Sequence, residues 1–389
     1  MQSQRPYRQR PARRRALWSV PRTEAPASSV ASSEFGESGE SGEPEEPPRR
    51  KALSPLSLLA ATFFMVSGGP YGLEEVIVGH GYTRTLLLLV LVPILWSLPV
   101  AMMVGELSTA LPQEGGYYVW VRRALGRFWG FQAAWLGMAA SFFDMAIYPT
   151  LFVTYLSRLW PQLGDLTPGK PGWVLGVAMI GACALWNIRG SRAVGIGSTV
   201  MGVILLAPFA VLVITALSSL RHGGLAQATA MLSAPAPTKA SGSFLAGILL
   251  CMWNYMGWDN ASTVAGEVQA PQRTYPRVLL SMVVLVAGCY LLTVLAASAS
   301  GLPAAQWTTG SWVEVARRLG GPTLALSVVL CGALCGLAMF NVLVMTNSRV
   351  PLAMALDGVM PRALAYTDRR TGAPTVAVLV AALLYAACL

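Results

Sequence analysis

Long apolar segments recur from residue 55 to the last residue, and this recurrence constrains the fold more than any other feature. A helix needs about 20 mostly apolar residues to cross the ~30 Å hydrocarbon layer of a bilayer. Nine segments are suited to such a crossing, with approximate bounds 55–78, 85–111, 128–157, 172–188, 197–219, 242–267, 278–300, 321–347 and 374–389. With 54% hydrophobic and 12% charged residues, the composition agrees. The sequence therefore predicts an all-α polytopic membrane protein.

Residues 1–52 have a different character from the rest of the chain. They begin with arginines between Arg5 and Arg15 and continue in Ser, Gly, Glu and Pro. This composition predicts a disordered N-terminal tail that is attracted to anionic lipid, with an organelle transit peptide as the alternative. Lys and Arg are also more frequent in the connections on the tail's side of the membrane. The positive-inside rule then predicts a cytoplasmic N-terminus in the cell membrane.

Two of the apolar segments are interrupted in a way that suggests broken helices. The first contains Gly68, Gly69 and Pro70, and the second contains Gly257 between Tyr255 and Asp259. Freed backbone groups are tolerated at membrane depth only where they meet protein, water or a ligand. Broken segments at corresponding places in two halves of a chain indicate a transporter's substrate site.

Acidic residues lie within the apolar segments, whereas Lys and Arg do not. The acids singled out are Glu74, Glu75, Glu106, Asp144 and Asp259. An ionised acid at the centre of a membrane helix costs about 2.5–3.5 kcal/mol, so each must be protonated, hydrated or matched by an incoming cation. A protonated acid that hydrogen-bonds across a helix interface remains the structural alternative. The acids near the breaks favour a cationic ligand.

Other function classes have little support in the sequence. The only histidines are His80 and His222, both in predicted connections, so neither a His-based triad nor a His-ligated metal site is expected in the membrane. No P-loop is present, which argues against a primary pump. The basic residues form no face with interleaved aromatic residues, so no nucleic-acid partner is expected. We expect no cofactor, no metal and no enzymatic activity.

Several motifs resemble those of the amino acid/polyamine/organocation transporter superfamily, and in detail those of its polyamine uptake permeases. The first passage begins with Gly68-Gly69-Pro70-Tyr71-Gly72-Leu73-Glu74 and continues through residues 105–107, 111–117, 129–132, Asp144 and Tyr148-Pro149. The second comprises residues 253–263, 266–268, Pro271 and Pro276, followed by Ser348-Arg349 and residues 355–361. The resemblance covers about residues 53–389.

The resemblance implies an inverted-repeat fold of the bacterial leucine transporter type, in which helices 1 and 6 are broken. The first five-helix repeat would comprise residues 53–219, an extracytoplasmic loop residues 220–241, and the second repeat residues 242–389. Members of the family usually have twelve helices, whereas this sequence ends within the ninth. We therefore expect an apparently truncated second repeat, from a fragment or a short form.

The resemblance also implies a substrate site and a mechanism. Substrate-binding positions carried over or inferred from the buried acids are Ser67, Gly68, Gly69, Gly72, Glu74, Asp144, Tyr255, Trp258 and Asp259. Trp258 would act as a gate or pack as an ordinary aromatic residue. The expected function is secondary active transport of a polyamine or amino acid, with proton symport. Proton coupling is inferred from the family and the buried acids. It does not rest on a recognised coupling residue, because residues 197–219 lack the lysine that some bacterial relatives carry in helix 5. The alternatives are a neutral amino acid permease and a non-transporting binding or sensor form.

Overall fold

The computed structural model describes residues 51–235 and 244–389, so most of the predicted tail and part of the predicted 220–241 loop lie outside the described residues. The described chain is helical. Its α-helices are α1 Pro55–Val66, α2 Glu74–Val92, α3 Leu98–Ala110, α4 Tyr117–Leu125, α5 Arg127–Ser157, α6 Pro171–Ile188, α7 Ser191–Ser219, α8 Leu225–Ser233, α9 Phe244–Asn254, α10 Pro271–Ser298, α11 Trp312–Asn347, α12 Arg349–Leu356 and α13 Thr375–Cys388. Short π-helical or 3₁₀ segments join some of them, at Pro93–Ser97, Pro161–Leu163, Leu220–Gly224, Trp258–Glu267, Ala304–Gln306 and Arg362–Ala365.

Six stretches of helix in the described chain are long and apolar enough to cross a membrane. They are Glu74–Ala110, Arg127–Ser157, Pro171–Ile188, Ser191–Ser233, Pro271–Ser298 and Trp312–Leu356. Two shorter apolar helices, α1 and α13, accompany them. Large apolar side chains such as Leu136 and Phe143 are exposed on the outside of the bundle, where lipid would cover them. The prediction of a multi-pass all-α membrane protein is confirmed.

The first predicted segment is divided between α1 and the start of α2. Helix α1 is capped by Ser54, whose hydroxyl accepts the N–H of Ser57 at 3.2 Å, and Pro55 occupies its first turn. The helix ends at Val66, shortly before Gly69, which adopts a φ of 87° that L side chains rarely take. A second interruption at Gly81, with φ 72° and ψ 172°, separates the short helix after the break from the long span that follows.

Helix α11 is the central element of the bundle, and its apolar stretch is 78% buried. It packs against α5 and α7, and some of its glycines lie against α5. A Cβ atom placed on Gly336 would lie 2.5 Å from the carbonyl oxygen of Tyr148, so the two backbones approach closely there. Close approach of this kind is the usual basis of helix association in lipid. Lipid chains are as apolar as the helices, so the hydrophobic effect does not drive the helices together and van der Waals packing does.

Candidate functional site

The two broken helices lie against each other in the middle of the bundle. Helix α9 ends at Asn254, and the chain turns through Gly257 at φ 97° before the 3₁₀ segment Trp258–Glu267. A Cβ atom on Gly257 would collide with the carbonyl oxygen of Met65, at the end of α1. The lack of a side chain at Gly257 therefore lets the second break sit directly on the first.

A cavity of about 510 Å³ opens beside these breaks. Its volume is typical of a site for a small molecule. Helices α1, α2, α5, α9, α10 and α11 contribute to its wall, together with the two breaks and the loop before α11. The polar and charged lining residues are Ser67, Tyr71, Glu74, Glu75, Asp144, Tyr148, Asn254, Asp259, Asn260, Tyr290 and Thr309. Four carboxylates and no Lys or Arg are among the described residues that line it.

Glu74 is buried, with 2% of its surface exposed, and its carboxylate accepts three hydrogen bonds. The N–H of Gly72 donates to Oε2 at 2.7 Å. The N–H of Gly310 and the hydroxyl of Tyr155 donate to Oε1 at 3.2 and 3.3 Å. Donors of this kind stabilise an ionised carboxylate without a cation. Glu74 therefore ties the first break to α5 and to the loop before α11.

Asp144 and Asp259 have fewer internal partners than Glu74. Asp144 is half-buried near the middle of α5, and its Oδ2 accepts the hydroxyl of Tyr148 at 3.1 Å. Asp259 follows the left-handed turn at Gly257, and it is exposed where it lines the cavity. Glu75 is likewise exposed. These three acidic side chains have oxygen atoms that are free to meet a ligand in the cavity.

Six of the nine residues predicted for the site line this cavity: Ser67, Gly68, Gly72, Glu74, Asp144 and Asp259. The other three do not. A Cβ atom on Gly69 would point at Leu205 of α7. Tyr255 is buried and donates its hydroxyl to the carbonyl of Leu89 at 3.1 Å. Trp258 is also buried, and its Nε1 donates to the carbonyl of Tyr255 at 2.6 Å. The substrate roles of all nine residues, including the gating role of Trp258, stay predictions.

Several lining residues were not singled out from the sequence. Asn254 and Asn260 flank the second break, and their polar amides in an apolar segment were a signal that sequence reasoning did not use. Thr309 lies in a loop far along the chain, and no local pattern marks it as part of the wall. Tyr290 donates to the carbonyl of Asn254 at 2.9 Å, which satisfies a carbonyl at the end of α9.

The end of the 3₁₀ segment is held by a buried ion pair. The Nε and Nη2 atoms of Arg349 each lie 2.9 Å from Oε1 of Glu267, and the two side chains are 1% and 8% exposed. Nη1 of Arg349 also donates to the carbonyl of Met345 and the hydroxyl of Ser348, at 2.8 and 2.9 Å. This pair joins the end of the 3₁₀ segment to the start of α12.

The chain before α1 is tied to the same end of the 3₁₀ segment. The N–H of Leu53 donates to the carbonyl of Glu267, and the N–H of Gln269 donates to the carbonyl of Leu53, both at 3.0 Å. Lys51 adds a bond from its ammonium group to the carbonyl of Gly266 at 2.9 Å. Hydrogen bonds therefore join the residues before α1 to the end of the 3₁₀ segment.

The opposite end of the first break is covered by the loop between α10 and α11. Nε1 of Trp312 donates to the carbonyl of Pro70 at 2.9 Å, so a carbonyl freed by the break is satisfied. Nη2 of Arg158 donates to the carbonyl of Thr309 at 2.6 Å. The arrangement can enclose a small molecule and contains no cluster of potential metal ligands among the described residues.

The comparisons with known proteins agree on one family. A family model described as amino acid permease matches residues 56–389. The polyamine transporter PUT1 of rice, Oryza sativa subsp. japonica, is 34% identical over 85% of this chain and 60% of its own length. A probable polyamine transporter of Arabidopsis thaliana is 33% identical over 92% of this chain and 69% of its own length. The chain thus spans roughly two thirds of the length of these curated relatives.

A solved structure supports the fold. MhsT in complex with L-phenylalanine matches with a TM-score of 0.64 and 16% sequence identity, over 87% of this chain and 79% of that chain. At this identity the likeness concerns the fold alone, and it confirms the leucine transporter type of fold that the family resemblance implied. The motifs at the two breaks, the family match along residues 56–389 and the plant relatives agree, and the chain belongs to the amino acid permease family.

Proposed function

We propose that the protein is a secondary active transporter of polyamines that works by alternating access, and that the 510 Å³ cavity is its substrate site. The observation that carries this proposal is the sign of the charge in the cavity. Glu74, Glu75, Asp144 and Asp259 line it without any Lys or Arg among the described lining residues. A carboxylate about 4 Å from an amine is worth about 4 kcal/mol at an effective dielectric constant of 20, before desolvation is subtracted.

The hydrogen bonds at the first break also favour an amine over a carboxylate. A substrate carboxylate would need unpaired N–H groups at the break. The N–H of Gly69 already donates to Oγ of Ser67 at 3.1 Å, and the N–H of Gly72 donates to Glu74. Two of the donors that would bind a carboxylate are therefore occupied. The plant relatives named polyamine transporters support the same substrate class.

Within this proposal, Asp144 and Asp259 bind substrate amines, and Asp144 is also the candidate proton carrier. Proton symport, the cell membrane and a cytoplasmic N-terminus complete the proposal. They rest on the family's usual behaviour, the buried acids and the distribution of basic residues. The two alternating states would open the cavity to either side by movement at the two breaks.

The test is uptake of radiolabelled spermidine and putrescine into proteoliposomes that contain the full-length protein. Asp144→Asn and Asp259→Asn are each expected to weaken apparent affinity about tenfold or more, because a charged hydrogen bond is worth about 1.5–3 kcal/mol. Glu106→Gln is the matched control, since Glu106 is exposed and does not line the cavity. Unchanged affinity and unchanged pH dependence in both cavity variants would refute the assignment.

The same assay separates the two alternatives. A neutral amino acid permease would take up neutral amino acids in a saturable way that spermidine does not inhibit. A binding or sensor form would bind spermidine without counterflow. Uptake that collapses when a protonophore removes the proton gradient supports the transporter and its coupling ion.

A further inference from the structure

A second cavity, of about 330 Å³, lies beside the loop that covers the first break. The end of α5, the α10–α11 loop and the start of α11 form its wall. Its lining residues are Arg158, Leu302, Gln306, Thr308, Gly310, Ser311, Val313, Glu314, Arg317 and Arg318. The positive-inside reasoning assigns this side of the protein to the outside of the membrane. We call it the outer cavity.

The outer cavity has more positive than negative charge. Glu314 is the one acid among the described residues that line it. Oε1 of Glu314 lies 2.9 Å from Nε of Arg318, and Oε2 lies 3.7 Å from Nε of Arg317. Arg158 forms no ion pair with a carboxylate of the described residues, and it donates Nη2 to the carbonyl of Thr309. One carboxylate therefore faces three guanidinium groups, which leaves the wall with an excess positive charge.

The chemistry of the wall matches a phosphate group. Guanidinium groups present planar arrays of donors that suit phosphate and carboxylate oxygens. The hydroxyls of Thr308 and Ser311 add donors beside them. The inner cavity has the opposite sign, with carboxylates and no basic residue in its described wall. An anion is therefore favoured in the outer cavity and disfavoured in the inner one.

The two cavities share one short stretch of backbone. Thr308, Gly310 and Ser311 line the outer cavity, whereas Thr309 lines the inner one. The N–H of Gly310 donates to Glu74 at 3.2 Å. A ligand that contacts Arg158 or Gly310 in the outer cavity would thus touch the same segment that closes the inner cavity.

We propose that the outer cavity is a phosphate-binding site, with Arg158, Arg317 and Arg318 as its cationic ligands. The phosphate group belongs to inorganic phosphate or to a phospholipid headgroup, since both present the same oxygens to the guanidinium groups. The site is distinct from the cationic substrate site, and its occupancy does not depend on transport.

Direct binding of inorganic phosphate to the full-length protein tests this proposal. The protein is held in maltoside micelles, which contain no phosphate group, and ³²P-phosphate binding is measured at low and constant ionic strength, because exposed charges are screened by salt. Arg158→Gln is expected to weaken binding about tenfold, as loss of one charged hydrogen bond predicts. Arg221→Gln is the matched control, because Arg221 is exposed and does not line the outer cavity.

A second variant protects the test against simple loss of folding. Glu314→Gln removes the competing carboxylate, so Arg317 and Arg318 are freed for the ligand and phosphate binding is expected to tighten about fivefold or more. A damaged fold would weaken binding instead. Tightening in Glu314→Gln together with weakening in Arg158→Gln therefore identifies the arginines as ligands.

Maltoside micelles that also contain phosphatidylglycerol distinguish the two sources of phosphate. Loss of ³²P-phosphate binding in these mixed micelles, with lipid retention that depends on Arg158, identifies a headgroup as the occupant. Equal phosphate binding in both kinds of micelle identifies the free anion. The proposal is overturned if the protein shows neither saturable phosphate binding nor Arg158-dependent lipid retention. Because no transport is measured, either result leaves the polyamine assignment to its own test.

Discussion

Removal of one member of the buried Arg349–Glu267 ion pair is expected to lower the free energy of unfolding by about 3–5 kcal/mol. Arg349→Gln would leave the carboxylate of Glu267 without its guanidinium partner, and Glu267→Gln would leave the guanidinium without its carboxylate. The side chains are 1% and 8% exposed, so water cannot replace the lost partner.

The magnitude follows from the geometry of the pair. Two N–O contacts of 2.9 Å join the side chains. At this separation the Coulomb attraction is about 6 kcal/mol for an effective dielectric constant of 20, and the desolvation of both groups offsets much of it. Removing both charges together also removes both desolvation penalties. The double variant is therefore expected to be more stable than the sum of the single variants by about 2 kcal/mol or more.

The assay is a double-mutant cycle on reversible unfolding in mixed micelles. The exposed pair of Arg318 and Glu314, with side chains 37% and 45% exposed, supplies the matched control. Arg318→Gln is expected to lower the free energy of unfolding by about 0.3–0.5 kcal/mol, because an i,i+4 surface pair contributes little.

Two results would contradict this reasoning. Single variants at Arg349 and Glu267 that lose less than about 1 kcal/mol would show that the groups are hydrated or move apart. Strict additivity in the cycle would show that each side chain acts independently of the other.

Two further predictions concern close packing and acid stability. Gly336→Ala is expected to lower the free energy of unfolding by about 1–3 kcal/mol, because the new Cβ meets backbone of α5; Gly288→Ala, where nothing lies within 4 Å, should be neutral or stabilising in the same unfolding assay. The N–H groups of Thr371 and Arg370 lower the pKa of Asp368. That contribution to loop stability is present above the unfolded pKa of about 3.9 and is lost as pH falls through the lower folded pKa. Hydrogen exchange between pH 6 and 3, corrected for intrinsic rates, should show this loss of protection at Arg370 and Thr371. Asp368→Asn should remove the pH dependence, and its persistence in that variant would contradict the assignment.

The sequence predicted the positions of the breaks well because their causes are local. Gly68, Gly69 and Pro70 cannot continue a helix, and Gly257 supplies the left-handed turn of the second break. The predicted starts at residues 85 and 321 also fall near the interruptions at Gly81 and Gly321, since each follows a drop in hydropathy. The assignment of two repeats and a truncated end stays a prediction.

The interior of the site was harder to predict because it depends on rotation and on distant contacts. Gly69 faces Leu205 of α7 and not the cavity. Which way it faces depends on the angle through which the backbone turns at the break, and no local sequence pattern gives that angle. Glu74 receives a hydrogen bond from Gly310, far along the chain. The acids within apolar segments were identified, yet Glu267 was noted only as part of a motif and not among those acids, although it lies at the end of such a segment. Its partner Arg349 lies 82 positions away, beyond the reach of spacing arguments.

The paired hydrogen bonds between Leu53 and residues Glu267 and Gln269 connect the two broken helices at one end. They link the start of α1 to the end of the Trp258–Glu267 segment like a short strip of parallel sheet. A hinge motion of either segment must then move the other segment as well, or first break these hydrogen bonds. The start of α1 and the end of the Trp258–Glu267 segment therefore move together for as long as these bonds hold, and Leu53 is the residue that couples them.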